Sequence, residues 1–153
     1  MSSEDIAALR RAAIGLLARR EHSRFELQHK LARRDDVCAE DITAVLDELE
    51  AERLLSDQRF AEVYAVSRLD RGYGPLRIGA ELRTRGVSEA LVSVILAGLD
   101  EDWQPCLSRF ARKRFGESLD SDTRTRAKRY AFLRGRGFTM TQIDRLFRPR
   151  ADD

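Results

Sequence analysis

Histidine, cysteine and proline are scarce, at 2, 2 and 3 of 153 residues. His22 and His29 have no cysteine or serine nucleophile beside them in sequence, so the Cys–His and Ser–His arrangements of covalent catalysis are not in view. Both read as solvent-facing. Cys38 and Cys106 stand alone without metal-ligand spacing, which excludes a thiolate zinc site and fits a reducing compartment; both read as small packing residues. No apolar run approaches the roughly 20 residues of a membrane span. Met1-Ser-Ser-Glu-Asp5 is acidic and gives no expectation of a signal peptide. Alternating Val, Ile and Thr are missing, so strands are not expected. Gly72-x-Gly74 and Gly135-x-Gly137 lack the lysine and the preceding strand of a phosphate loop. Asp35-Asp36 and Asp152-Asp153 fall in a turn and a tail. No catalytic group, cofactor or metal is expected.

What is present is helix. Apolar residues make up 42% of the chain and charged residues 35%, enough for one ordinary soluble domain. The stretch Gly72-Tyr-Gly-Pro-Leu-Arg-Ile-Gly-Ala-Glu-Leu-Arg-Thr-Arg-Gly-Val-Ser88 reads as a helix marked at both ends. Pro75 suits a first helical position and Gly86 the left-handed position that closes the helix. Pro75, Ile78 and Leu82 share one face; Arg77, Glu81 and Arg85 share the other. Ser88 then caps the next helix.

This unit recurs. Leu82-x-x-Arg-Gly-Val-Ser88 matches Leu133-x-x-Arg-Gly-Phe-Thr139 without a gap, and Leu31-x-x-Arg34 repeats its start, with Asp35-Asp36 in place of the glycine. The leucines are 51 residues apart, and Ile42, Val92 and Ile143, then Val45, Ile95 and Leu146, follow in step. Fixed-period similarity predicts a repeat array. The expected fold is all-α: three tandem three-helix repeats, at residues 1–55, 56–101 and 102–148, forming an elongated curved array, with 149–153 as a tail. Ser23-Arg-Phe-Glu26 and Thr139-Met-Thr-Gln142 read as capping boxes.

Charge is uneven. Residues 102–153 hold 13 Lys and Arg against 7 Asp and Glu, net +6, whereas residues 1–55 hold 9 against 12, net −3. A basic last third predicts contact with a polyanion or an acidic protein surface. Phe110-Ala-Arg-Lys-Arg-Phe115 interleaves bases with aromatics. On a helical wheel of 123–136, Lys128, Arg129 and Arg136 flank Phe132, while Ala127, Tyr130 and Leu133 form a core-like face. Phe132 either stacks on a base or packs against the neighbouring repeat. Tyr73 is either a packing lid or an exposed anchor. Arg77, Glu81 and Arg85 form an i, i+4 ladder; Arg83 lies off it.

Four ordered motifs carry a resemblance: Leu17-Ala-Arg-Arg-Glu-His-Ser-Arg-Phe-Glu-Leu-x-x-Lys-Leu31, Asp57-x-x-Phe60-Ala61, Gly74-Pro-x-x-Ile78-x-x-Glu-Leu-x-x-Arg-Gly86 and Phe132-Leu-x-x-Arg-Gly-Phe138. Over about residues 6–148 the chain resembles RecX, the bacterial regulator of RecA recombinase. That resemblance implies a helical crescent that binds RecA–DNA filaments and suppresses ATP hydrolysis, strand exchange and repressor cleavage in DNA repair and the SOS response. It also implies weak binding to single- or double-stranded DNA. A cytoplasmic monomer that touches no membrane is expected. The departure at Asp35-Asp36 leaves the first repeat's turn open. Charge and helical position nominate Tyr73, Arg77, Arg83, Arg85, Lys128, Arg129, Phe132 and Arg136 as the RecA- and DNA-binding surface. A helix-turn-helix transcription factor and a helical scaffold for another protein remain as alternatives.

Overall fold

A computed structural model describes residues 3–148, and the tail expected at 149–153 lies outside them. Among the described residues there are nine α-helices and no strand: α1 Ser3–Arg19, α2 Arg24–Ala32, α3 Ala39–Ala51, α4 Asp57–Asp70, α5 Pro75–Thr84, α6 Glu89–Ala97, α7 Trp103–Phe115, α8 Thr123–Gly135 and α9 Met140–Phe147. Local chemistry sets their starts. Ser23 and Glu26 exchange hydrogen bonds in a complete capping box before α2, as Thr139 and Gln142 do before α9. Ser56 Oγ accepts from Arg59 N and Ser88 Oγ from Leu91 N at the starts of α4 and α6. At α3 the capping position is Cys38, which is exposed, with its thiol donating to Asp41 Oδ2 at 2.9 Å. That corrects the packing role expected of this cysteine; Cys106 is half-buried.

The chain divides into two compact units. The first runs to Val63 and adds Leu82–Leu91; the second takes Tyr64–Glu81 and the chain from Val92 onward. In the first, Leu9, Ala13, Leu27, Leu31, Ile42, Val45, Leu46, Leu49 and Leu55 form a buried core among α1, α2 and α3. In the second, Leu107, Leu133, Phe138, Ile143 and Phe147 form the core of α7, α8 and α9. The helices α4, α5 and α6 are each shared between the two units. A three-helix repeat buries little surface alone, and each unit joins an outer repeat to segments of the central helices.

Each unit contains the same clasp, in which a loop entering a helix sits on a helix-ending turn. In the first, Ser23 Oγ donates to the Arg85 carbonyl at 2.7 Å. In the second, Gly74 N donates to the Arg136 carbonyl at 2.8 Å and Leu76 N to the Gly137 carbonyl at 2.9 Å. Both donor and acceptor have moved by 51 residues, the interval of the leucines. The turn glycines have φ of +80° at Gly86 and +99° at Gly137. Close approach adds to this demand: a β-carbon at Gly86 would lie 2.7 Å from Phe25 Cγ, and one at Gly137 would lie 2.6 Å from Arg77 N. The first repeat keeps the left-handed turn with Asp36, φ +58°, and this residue is exposed. Aspartate tolerates that conformation better than most residues, and an exposed turn has room for its side chain. The missing glycine therefore marks a turn on which nothing has to pack closely.

His22 is buried, 1% exposed, and this corrects the solvent-facing expectation. Its Nδ1 lies 3.1 Å from the Arg20 carbonyl and its Nε2 lies 2.8 Å from Lys30 Nζ. The carbonyl can only accept and the ammonium can only donate, so this geometry fits a neutral ring protonated at Nδ1. Burial, then the Arg20 and Lys30 cations, hold its pKa below the ordinary value, against the pull of the Arg20 carbonyl and Glu26. The unfolded chain binds this proton near pH 6.5 and the folded one only at lower pH. Stability should thus fall as pH drops below about 6.5, by at most about 1.4 kcal/mol per pH unit, until the folded ring also titrates. Glu26, whose pKa Arg20 and the Ser23 N–H lower despite burial, acts in the separate acidic window below its unfolded value. Urea midpoints of wild type and His22→Gln at pH 7.5 and 5.5 should converge as pH falls; parallel curves would refute the assignment.

Candidate nucleic-acid and filament interface

The second unit gathers arginine and aromatic side chains around Tyr73. The Arg68, Arg77 and Arg136 guanidinium carbons lie 3.8, 4.5 and 3.7 Å from its ring centroid. Arg136 also lies 4.9 Å from the Phe110 ring and 5.9 Å from that of Phe132, over which Arg114 sits at 4.8 Å. Such stacks are favourable, and a guanidinium keeps its edge donors while its face is used. Tyr73 is half-buried under this cover, so it packs as well as presenting an edge.

Glu81 anchors one side of the cluster. Arg68 Nε and Nη2 donate to its two carboxylate oxygens at 2.9 Å each, Tyr64 Oη donates at 3.2 Å, and Arg77 Nε lies 3.7 Å away. Burial works to raise the Glu81 pKa, but Arg68 outweighs it and the group lies below its ordinary value. The Arg77–Glu81 rung of the expected ladder is present; the tighter partner is Arg68, from another helix.

Arg136 binds carbonyls instead of an acid. Its Nε donates to Gly72 O at 3.0 Å and its Nη2 to Arg71 O. Burial, then the neighbouring Arg77, Arg68 and Arg114 cations, lower its pKa against the favourable effect of Tyr73. This side chain joins the clasp, holding the Gly72 turn to the end of α8.

The nominated residues separate into two groups. Tyr73, Arg77, Phe132 and Arg136 come together, with Lys128 exposed on α8 and Arg129 4.8 Å from the Phe115 ring. Arg83 and Arg85 lie in the first unit. There Arg83 makes a double hydrogen bond to Glu89 at 2.6 and 2.8 Å, and Arg85 lies 3.9 Å from Glu26. The wheel of α8 needs rotating: Leu133 is buried and Tyr130 half-buried, but Ala127 is exposed, and Phe132 sits against the α7–α9 core. Arg68 and Arg114 join the cluster without belonging to the surface that charge and helical position single out. Arg114 was legible inside the Phe110–Phe115 segment; Arg68 reaches Tyr73 through a turn whose path the residue types do not specify.

Ion pairing differs between the first unit and the last three helices. In the first, Arg10, Arg20, Arg24, Arg59, Arg83 and Arg85 each lie within 4 Å of a carboxylate. Among the described residues from Trp103 onward, the only such pair is Arg112–Glu117, at 3.9 Å. Uncompensated cations on α7 and α8 leave a surface suited to polyanions. The described residues contain no group of three metal-ligating side chains, and no helix long and apolar enough to cross a membrane.

Three family models match in chain order: the first three-helix domain of RecX at residues 10–49, the second at 56–94 and the third at 100–147. The chain is 43% identical to the regulatory protein RecX of Halorhodospira halophila over 89% of its own length and 84% of that protein. It is 45% identical to that of Chromohalobacter salexigens over 94% and 92%, and 41% identical to one from Pseudomonas fluorescens over 98% and 96%. The crystal structure of RecX from Lactobacillus salivarius shares the fold, with a TM-score of 0.79 at 23% identity over 95% of this chain and 96% of that one. Repeat period, the nine helices among the described residues and the matched segments agree, and the chain belongs to the RecX family of regulatory proteins.

Proposed function

We propose that this protein binds RecA–DNA filaments and lowers the recombinase, ATPase and coprotease activities of RecA in DNA repair and the SOS response. The observation that carries this reading is the set of cations on α7 and α8 that lack carboxylate partners among the described residues, next to the arginine cluster on Tyr73 and Phe132. A regulator of this kind needs no catalytic group, because preferential binding to one assembly state shifts the equilibrium by mass action. The three repeats, at 1–55, 56–101 and 102–148, would each offer helix surface to a polymer. In the second unit the surface comprises Arg77, Lys128 and Arg129, with Tyr73, Phe132 and Arg136 shaping it from below; in the first unit, Arg83 and Arg85 stand in reserve behind their acid partners. The protein acts as a cytoplasmic monomer and binds single- or double-stranded DNA weakly.

The test is RecA ATPase on single-stranded DNA, with this protein added below stoichiometry to preformed filaments. Turnover should fall well before one molecule is present per RecA; unchanged turnover with cognate RecA would end the proposal. Lys128→Glu with Arg129→Glu should weaken filament binding roughly tenfold or more, and more at low salt, because two phosphate-facing charges are reversed. A folded double variant that binds as wild type would remove α8 from the interface.

A further inference from the structure

Phe110 also lines a groove of about 500 Å³ in the second unit, between the end of α4 and one face of α7. Cys106, Arg109, Phe110 and Lys113 line its α7 side at helical i, i+3, i+4 and i+7 spacing. Leu69, Asp70 and Arg71 line the other. The groove thus presents three cations, Arg71, Arg109 and Lys113, all exposed, and one acid. None of the three lies within ion-pairing distance of a carboxylate among the described residues. Arg109 Nη2 is 2.9 Å from Cys106 Sγ, but a thiol sulfur is a weak acceptor and holds the guanidinium lightly. The Arg71 wall is better fixed, since its carbonyl accepts from Arg136. The groove is therefore built on the clasp and adjoins the arginine cluster at Phe110.

We infer that this groove seats the sugar–phosphate backbone of a nucleic-acid strand, with Arg71, Arg109 and Lys113 on successive phosphates. This rests on the proposed function and deepens it by placing the strand. The volume suits a nucleotide-sized group. Cations strung along a groove match a ligand whose charge repeats along its length. Asp70 favours nucleic acid over an acidic peptide: a carboxylate can accept from a base amine or a sugar hydroxyl but repels acidic side chains. Phe110 is half-buried, its ring packed against Gly72, where an added β-carbon would lie 2.7 Å from Cγ, and beneath Arg136. It therefore offers an edge to a sugar instead of a free face to a base.

Cys106 is a reporter already in the groove. In a Cys38→Ser variant it is the only thiol, and serine suits the helix-capping position that Cys38 occupies. Its alkylation rate by a maleimide should fall several-fold when an oligo-dT of about 15 nucleotides saturates the protein. Adding Arg71→Glu and Lys113→Glu, whose side chains bond no other described residue, should weaken oligonucleotide affinity roughly tenfold and abolish protection at the same DNA concentration. DNA binding by anisotropy without protection of Cys106 would overturn the inference. So would protection by poly-glutamate but not by DNA, which would assign the groove to an acidic peptide. In either case, undiminished inhibition of RecA ATPase by the Arg71→Glu, Lys113→Glu variant would leave the proposed function standing.

Discussion

Gly137→Val should destabilise the protein by about 4 kcal/mol, lowering Tm by on the order of 10 °C. Two costs combine. The residue has φ +99°, which a β-branched side chain adopts only with strain. In addition, the new Cβ would meet backbone, at 2.6 Å from Arg77 N and 3.0 Å from Arg77 Cα. Backbone at the first turn of α5 cannot rotate away as a side-chain tip could. Relief would require opening the clasp, losing the Gly74 N–H···O=C Arg136 and Leu76 N–H···O=C Gly137 bonds and spreading Tyr73 from Arg136. Nearby glycines serve as controls. Gly116 has φ +101° with nothing within 4 Å of an added Cβ, so Gly116→Ala should cost only the conformational term, about 1 kcal/mol. Gly135 ends α8 in open space without a left-handed φ, so Gly135→Ala should be neutral or stabilising by up to about 1 kcal/mol. Equal losses at 116 and 137 in urea titrations would mean that close approach contributes nothing.

The clasp also shows how far residue types lead and where they stop. The spacing of Leu31, Leu82 and Leu133, each buried to within 1% exposure, was enough to place the three repeated helices. Both capping boxes and the Pro75 start were legible because their partners lie within four residues. Glycines at 86 and 137 could be read as helix stops, but their second task, admitting Phe25 and Arg77, depends on residues about 60 positions away. His22 was misread for a similar reason: its place beside a capping serine predicts exposure, and only the packed chain covers it. Ala127 and Phe132 exchanged roles because a short helix rich in arginine has a weak apolar stripe, leaving the aromatics of α7 to decide which face turns inward. The arginine–tyrosine cluster joins α4, α5 and the end of α8, and no local pattern announces that meeting.

Phe132→Ala should cost about 3 kcal/mol, whereas Phe132→Leu should recover most of it. The ring stacks on Phe110 at 6.3 Å and 10°, meets Phe115 edge-on at 6.0 Å and carries Arg114 over it. Truncation would leave a gap beside Leu133 and remove two aromatic contacts at once; leucine refills much of the volume without the ring. The pair of variants also decides between the two roles weighed for this residue. If Phe132 supports Arg114 and Arg136 from beneath, DNA affinity and RecA inhibition should survive in Phe132→Leu. If it stacks on a base, Phe132→Leu should fold yet bind several-fold more weakly, while Phe132→Tyr keeps binding, since leucine has no π-face to offer. The half-buried ring, with neighbours already on it, favours the first outcome. On that account affinity comes from guanidinium and ammonium groups held outward by a packed aromatic layer. Weakening that layer would then lower binding only as far as it loosens the arginines above it.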